Sequence, residues 1–593
     1  MNRRIIGVIL AAIFIVALPF LFQKPASTGV WHEGDPVLTI VTPHNEAIRN
    51  EFAKRFCEWH NEKYGVPVRI DWRVIGGTTE IMRYLDSEYI GSMKGWWKRQ
   101  GGEWPAEGAD WILDRHYDPN AENVPENASD EDKAQAALRR KLYLDFRTND
   151  SPEISTSGMD LFFGGGVYDH SKAERQGLTV APWKTDAEIP VGLFYDERGK
   201  ELIPVELAGE VWRSRVFFGN VLSTFGICWN QDRLDDLGVK KAPARWADLT
   251  APGYFGEIGV ADPTKSGSVA KAFELIVQQA AGESMRDAGY NDETIASYEK
   301  AIEEAHLPVG ALPEKVPASY QKAVNQSWVD GINLVRLIGA NTRYFTDSAG
   351  KVPIDVGNGA TAAGICIDFY GRFQAEYARG VDGEPHMEFA TPIGGSCVSA
   401  DPISLLRGSR NRELAIRFMT FVLGEDGQML WNGRPGTKGG PERYALRRLP
   451  IRRDFYPSDD PVFQEKATRH LADASDHLDA PDVNPFALAG TFTYRPRWTG
   501  RHFGIQRDLI RAMCLDSGVE LRAAWKAILS HGGPEANPEA MEILFRMPEH
   551  PVPVTWKSAI TDYNHIPRLQ YMREWTADFR ANYRKAARLA SGK

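Results

Sequence analysis

The sequence predicts an α/β protein, because strand patterns alternate with helical patterns. Residues 37–41 form a β-branched apolar run, typical of a buried strand, and apolar residues then recur at helical spacing until Gly65. A second strand is predicted at residues 68–75. It runs into the loop 76–79 and a helix of about residues 80–85. The order strand, helix, strand, glycine loop, helix is typical of the start of a parallel sheet.

The rest of the chain keeps this alternation, with two interruptions. Residues 92 to about 155 predict a surface insertion, and the chain from about residue 454 predicts a mostly helical extension with a basic end. Between them, strands are predicted at residues 159–163, 216–218 and 222–229, helices and short strands within residues 230–390, and a late helix at residues 411–423. The first of these strands ends in three consecutive glycines, 164–166.

Composition and motifs exclude several classes of protein. The chain has 593 residues and a net charge of −9, which disfavours a nucleic-acid partner. Its five cysteines are widely spaced and form no C-x-x-C pair, and no zinc-protease, nucleophile-elbow or P-loop motif is present. Residues 433–440 resemble a phosphate loop, but Gly439 stands where Ser or Thr should follow Lys438. We predict no enzymatic activity and no cofactor, and leave a metal site open.

The N-terminus predicts export from the cytoplasm. Two arginines within residues 1–4 precede the apolar run 5–22, the pattern of an export signal. Cleavage is expected near residues 26–30. The run is also long enough to stay as a single membrane anchor, and both alternatives place the rest of the chain in the periplasm.

A series of segments carries a family resemblance. Loops at 42–44, 76–79 and 164–166 follow predicted strands, where open α/β sheets bind ligands. Three further segments come in order: W-x-D-L at 246–249, DP-x-x-SG at 262–267 before a helix, and the helix 413–423 followed by Gly427-Gln428. Over about residues 36–435 the chain resembles the extracellular solute-binding proteins of bacterial ABC importers, in the branch that includes ferric-iron, polyamine, thiamine and phosphonate binders.

The resemblance implies a two-lobe, type II periplasmic-binding-protein-like fold with a ligand cleft between the lobes. Residues 1–30 would be the signal or anchor. Lobe one would span residues 36–222 with 391–453 and carry the insertion at about 92–155. Lobe two would span residues 223–390, and residues 454–593 would form the helical extension.

The implied function is capture of a small polar or charged solute, with ferric iron as one candidate, and its delivery to an ABC permease in the inner membrane. The protein would act as a monomer. Two alternatives stay open: a membrane-anchored sensor or scaffold on the same fold, and an exported enzyme whose site lies in the insertion or the extension.

Candidate ligand residues follow from the strand ends and from the resemblance. Glycines and helix starts offer free backbone N–H groups, which suit anions, whereas Asp368 would attract an amine or a metal and Tyr370 could bind ferric iron as a phenolate. Phe369 stands where the iron-binding relatives often carry a second tyrosine. Trp96, Trp97, Trp104 and Trp111 are expected to anchor the insertion rather than to stack on a sugar. The predicted ligand-binding residues are Thr42, His44, Gly76, Gly77, Thr78, Gly165, Gly166, Tyr168, Ser266, Gly267, Ser268, Asp368 and Tyr370.

Overall fold

The computed structural model describes residues 30–120, 128–380 and 383–592, so the predicted export segment lies outside the described residues. No helix in these ranges is long and apolar enough to cross a membrane. The strands are β1 Val37–Val41, β2 Arg69–Arg73, β3 Leu161–Phe163, β4 Thr179–Val180, β5 Glu206–Leu207, β6 Glu210–Val211, β7 Phe217–Ser223, β8 Phe225–Asn230, β9 Ile258–Ala261, β10 Thr342–Thr346, β11 Ala363–Ile367, β12 Met387–Ala390, β13 Ser399–Leu406 and β14 Leu449–Pro450.

The helices surround the strands and fill the C-terminal part of the chain. They are α1 Glu46–Tyr64, α2 Thr78–Arg99, α3 Gly108–Leu113, α4 Asp130–Arg147, α5 Val167–Gln176, α6 Gln231–Asp236, α7 Gly267–Asp287, α8 Asp292–Glu304, α9 Ala318–Asn341, α10 Lys351–Gly357, α11 Asp368–Tyr377, α12 Arg412–Leu423, α13 Glu425–Asn432, α14 Pro461–Asp473, α15 Pro485–Ala489, α16 Pro496–Thr499, α17 Phe503–Ile510, α18 Gly518–Ser530, α19 Pro538–Leu544, α20 Ser558–Thr561 and α21 Arg568–Ala590. A π-helix, Arg511–Asp516, follows α17.

Two sheets confirm the predicted α/β class. The larger has seven strands in the order β14-β7-β13-β3-β1-β2, with β4 paired to β13; β1 is parallel to β2 and β3. The smaller has five strands in the order β10-β9-β11-β8-β12. We call the larger sheet with its helices lobe one, and the smaller sheet with its helices lobe two. We call the chain from Asp454 to Gly592 the extension.

The chain crosses between the sheets twice, at neighbouring points. Thr224 alone separates β7 of lobe one from β8 of lobe two, and residues 391–398 lead back from β12 to β13. The hydroxyls of Thr224 and Thr391 lie 2.9 Å apart, and Ser396 Oγ accepts a hydrogen bond from the Phe225 N–H at 2.9 Å. The two crossings therefore form one compact hinge.

Helix α2 and its surroundings correct the predicted insertion. The helix predicted at residues 80–85 spans Thr78–Arg99, because Leu85, Tyr89, Met93 and Trp97 recur every four residues on one buried face. Buried side chains of α3 and α4 join this face. The cluster includes Trp111, Ile112, Leu142 and Phe146 and reaches Leu406 of β13. The segment 92–155 is thus part of the lobe-one core, and the tryptophans Trp97 and Trp111 are buried within it.

Two further expectations differ from the structure. The strands predicted at 216–218 and 222–229 are β7 and β8, and β7 runs unbroken from Phe217 to Ser223 through the predicted gap. The extension is mostly helical, as predicted, but it does not stand apart. Trp525, Trp575 and Phe579 of the extension share one buried cluster with Trp328 of α9. From Phe492 onward the extension therefore belongs to the core of lobe two, whereas Phe455, Phe463 and Leu488 near its start are buried in the core of lobe one.

Candidate functional site

A cavity of about 2940 Å³ lies between the two lobes and is walled on a third side by the extension. Lobe one contributes the loops after β1, β2 and β3. Lobe two contributes the start of α7, and the extension contributes residues of α17 and its neighbours. The cavity therefore occupies the inter-lobe position that the sequence predicts for a ligand.

Three helices begin at this cavity. Gly77 and Gly166 are the N-cap residues of α2 and α5, and neither has a side chain to cap the first backbone N–H groups. Ser266 is the N-cap of α7, and its hydroxyl accepts a hydrogen bond from Val269 N at 3.3 Å. All three helices thus present free N–H groups at their positive dipole ends, which favour an anionic or acceptor-rich group.

Thr78 stands where these helix starts meet. A Cβ built on Gly165 would lie 2.4 Å from Thr78 Cγ2, and one built on Gly267 would lie 3.2 Å from Thr78 Oγ1. Gly165 has a φ of 96°, a conformation that glycine adopts readily. Across the lobes, a Cβ on Gly77 would lie 3.2 Å from the carbonyl oxygen of Lys265. The lobes therefore approach each other here through glycine backbone, and any added side chain would obstruct them.

Asp169 is a buried carboxylate beside Thr78 that sequence reasoning missed. Burial raises the pKa of Asp169, while the Thr78 hydrogen bond and the nearby Arg507 and Lys172 charges lower it. Asp169 also lines the cavity, and its Oδ2 lies 4.0 Å from a Cβ built on Gly267. It places one acidic group next to the free N–H groups of α5 and α7.

His44 lines the cavity behind the first strand, but Thr42 does not. Thr42 is fully buried, and its hydroxyl accepts a hydrogen bond from His44 N at 3.1 Å, so it shapes the loop after β1. Burial, with the charges of Arg448 and Arg49, holds the pKa of His44 well below its ordinary value. His44 is therefore a neutral imidazole at physiological pH, and its Nε2 has no hydrogen-bond partner among the described residues.

Tyr370 lines the cavity, and Asp368 is turned away from it. Asp368 is fully buried at the start of α11, where its carboxylate accepts hydrogen bonds from Phe369 N at 2.8 Å and from Thr224 Oγ1 at 3.4 Å. Burial raises the pKa of Asp368 despite the neighbouring Arg372 and Arg448 charges. Asp368 is not among the residues that line the cavity, and its carboxylate lies instead beside Thr224, where the chain crosses between the lobes.

The remaining predicted residues lie at the cavity walls. Gly76, Gly77, Gly166, Ser266 and Ser268 all line it. Tyr168 does as well, and its ring packs against Phe503 of the extension with 4.7 Å between ring centroids. The structure thus brings together eleven of the thirteen predicted residues, and only Thr42 and Asp368 lie away from the walls.

Arg448 is a cavity-wall residue that the sequence did not suggest. It is fully buried, and its Nη2 donates to Ser223 Oγ at 2.6 Å and to Asp401 Oδ2. Its guanidinium carbon lies 4.4 Å from the Phe369 ring centroid and 5.4 Å from that of Trp431. A strand of only two residues, β14, follows it, which is why no strand pattern marks the position.

The extension joins the lobes across the cavity. Arg507 of α17 donates from Nε to Pro263 O at 2.7 Å and from Nη2 to Thr264 O at 3.0 Å, both in lobe two. The same Nη2 lies 3.1 Å from Thr79 Oγ1 in lobe one. One guanidinium therefore binds both lobes next to the start of α2.

The described residues contain no group of three or more His, Cys, Asp or Glu side chains placed to hold a metal ion. Arg448 carries a positive charge next to Tyr370, and it lowers the pKa of that phenol against the raising effect of burial. The described ranges therefore offer a ferric ion no ready-made cluster of carboxylate and imidazole ligands.

Comparison with known proteins gives a family match. Residues 194–429 match the family model described as bacterial extracellular solute-binding protein. This is the family that the sequence motifs predicted. The match covers all five strands of lobe two, both crossings, and β7 and β13 of lobe one. A curated protein of Haemophilus influenzae, described as uncharacterized, is 26% identical over 271 residues, and the match covers 46% of this chain and 60% of that protein.

Solved structures of solute-binding proteins are also similar to this chain. The periplasmic binding protein AfuA of Actinobacillus pleuropneumoniae, with fructose-6-phosphate bound, is 16% identical, with 74% of this chain and 97% of that chain covered and a TM-score of 0.41. The spermidine/putrescine transporter protein PotD of Streptococcus pneumoniae is 13% identical, with 80% and 99% covered and a TM-score of 0.41. Ferric ion-binding protein A of Pasteurella haemolytica is 13% identical, with 77% and 94% covered and a TM-score of 0.34.

Proposed function

We propose that this protein is the periplasmic solute-binding component of an ABC importer, which traps a small polar solute between its lobes and delivers it to a membrane permease. The observation that carries the proposal is the meeting of helix starts from both lobes at Thr78. The starts of α2 and α5 come from lobe one and that of α7 from lobe two. A solute held there contacts both lobes only when they are together, so binding and closure are coupled.

The hinge supports this mechanism. The crossings at Thr224 and Thr391 are hydrogen-bonded to each other, and rotation about them would separate the start of α7 from the starts of α2 and α5. A permease that recognises both lobes together would then distinguish loaded from empty protein. Because three helix N-termini line the site, the solute is expected to present oxygen acceptors to their N–H groups.

Ferric iron is the less favoured solute in this proposal. Asp368, the predicted carboxylate ligand, is buried behind the cavity wall, and Arg448 places a positive charge beside Tyr370. A hard cation prefers several anionic oxygen ligands. An iron complex would need an accompanying anion to supply them.

A solute screen tests the proposal. Full-length protein is heated with ferric citrate, spermidine, thiamine, a phosphonate and fructose-6-phosphate in turn. A solute at 100 times its dissociation constant should add about 2.7 kcal/mol to the unfolding free energy. X-ray scattering should show a smaller radius of gyration with that solute, and mass spectrometry should recover it unchanged. Recovery of a converted product would instead support an exported enzyme.

Two glycine substitutions provide the matched comparison. Gly267→Val adds a side chain where a Cβ alone would lie 3.2 Å from Thr78 Oγ1, so it should weaken solute binding at least about 10-fold. Gly91→Val places the same side chain on α2 where a Cβ meets no atom within 4 Å. If both variants bind like the original protein, the solute does not sit at the meeting point of the helices.

A further inference from the structure

Arg448 has more hydrogen-bond donors than partners. Its Nη2 is engaged by Ser223 and Asp401, but Nε and Nη1 are buried without a partner among the described residues. A buried donor without an acceptor is destabilising, and more so for a charged group. Two N–H donors of Arg448 therefore lack an acceptor within residues 30–120, 128–380 and 383–592.

Arg452, another arginine of the same segment, shows a buried guanidinium whose nitrogens all have hydrogen-bond partners. Arg452 is also buried, four residues later, and its Nε and Nη2 bind both carboxylate oxygens of Asp454 at 3.0 and 2.9 Å. Its Nη1 donates to Gly192 O at 2.9 Å. Every nitrogen of Arg452 thus has a partner, and Arg452 lies away from the cavity walls. Arg448 differs in both respects, since it lines the cavity and two of its nitrogens have no partner in the part of the chain that the structure describes.

The surroundings of Arg448 favour an acceptor from the cavity. Phe369 and Trp431 flank the guanidinium with apolar rings, which supply no strong acceptor. Tyr370 and Ser399 line the same part of the cavity and can donate from their hydroxyls. Asp401 pairs with Nη2 and neutralises the charge of Arg448. The ligand is therefore recognised through hydrogen bonds from Nε and Nη1 and not through a net positive charge.

We propose that Arg448 binds an oxyanion of the solute, a carboxylate or a phosphoryl group, through the free N–H groups of Nε and Nη1. This inference rests on the proposed function and narrows its solute class from polar molecules to anions. Arginine suits carboxylate and phosphate because its N–H groups are rigidly directed and always charged.

The test uses inorganic phosphate and citrate as probes, with putrescine and glucose as the cationic and neutral counterparts. Each is titrated into full-length protein by thermal shift and by calorimetry. Phosphate, citrate or both should stabilise the protein, and Arg448→Gln should weaken that binding about 10- to 100-fold. Arg452→Gln should change the melting temperature but leave the affinity unchanged.

A second variant is needed because Arg448→Gln leaves the Asp401 carboxylate unpaired, which could by itself unfold the protein. Arg448→Gln with Asp401→Asn removes both charges, and it should fold and show the same loss of probe binding. Retention of phosphate or citrate binding in the folded double variant would overturn the inference, as would failure of both probes to bind the original protein. Closure around putrescine or glucose would then leave the proposed function standing, whereas no closure with any solute would remove both.

Discussion

Replacing Arg507 with Gln should weaken closure of the lobes without unfolding either lobe. Two of its three hydrogen bonds reach Pro263 and Thr264, and these stay within the body formed by lobe two and the extension from Phe492 onward. Only the bond to Thr79, at 3.1 Å, crosses to lobe one. Arg507 is half-buried, so this one charged bond contributes about 1 kcal/mol to the closed state. The solute affinity should therefore fall roughly 5-fold.

A double-mutant cycle separates closure from general stability. Thr79→Val removes the acceptor in lobe one while keeping the shape of the side chain. If the two groups act through their bond, the affinity losses of Arg507→Gln and Thr79→Val will not add in the double variant. The control is Arg511→Gln, because Arg511 Nη1 of the extension donates to Asp262 Oδ2 of lobe two at 2.6 Å and does not reach lobe one through this bond.

Calorimetry gives the affinities, and X-ray scattering with and without solute gives the extent of closure. Arg511→Gln should lower the melting temperature and leave the affinity unchanged. The reasoning fails if the Arg507 and Thr79 effects are additive, or if Arg511→Gln weakens binding as much as Arg507→Gln.

Three further substitutions test other parts of the structure. Gly165→Ala should weaken solute binding and destabilise the protein by about 1–3 kcal/mol, because its Cβ would lie 2.4 Å from Thr78 Cγ2 at a φ of 96°. The control for stability is Gly166→Ala, whose Cβ would meet no protein atom within 4 Å and should leave the unfolding free energy nearly unchanged. Burial lowers the pKa of His170 from 6.5 to about 4, so folding favours the neutral ring and this part of the stability is lost as the pH falls from 6.5 towards 4. The original protein should thus lose about 2–3 kcal/mol of its unfolding free energy relative to His170→Gln between pH 7 and pH 4.5, as measured in urea. An unchanged difference between the two proteins would contradict the lowered pKa of His170. Phe146→Ala should lower the unfolding free energy by about 3–5 kcal/mol in urea, and a loss below about 1 kcal/mol would return the segment 92–155 to a surface role.

The parts of the site that the sequence predicted are those with local signals. Glycines and helix starts directly after strands mark the loops at Gly76, Gly165 and Gly267 within a few residues, and their geometry depends mainly on those residues. The sequence predicted a helix only over residues 80–85, whereas α2 continues to Arg99 through Gly91 and Gly95. Both glycines lie off the buried face, so the helix continues through them.

The missed parts depend on contacts between distant residues. Arg448 meets Ser223 across 225 positions, and Arg507 meets Thr79 across 428 positions. Nothing near either arginine in the sequence indicates its partner. Asp368 also depends on a distant residue: a carboxylate after an apolar strand predicts a ligand contact, and in the structure the turn into α11 directs it towards Thr224.

The strand order of lobe one has a consequence for how the protein folds. Strand β13, at residues 399–406, lies between β7 and β3 in the larger sheet. Because β13 follows all the lobe-two strands in the sequence, β7 and β3 cannot be joined into one sheet until those strands have been synthesised. Lobe two in turn shares its core with Trp525 and Trp575 of the extension. Neither lobe is complete before the last third of the chain is available. Folding should therefore be slow and dominated by long-range pairing, and a chain stopped near residue 390 should stay prone to aggregation.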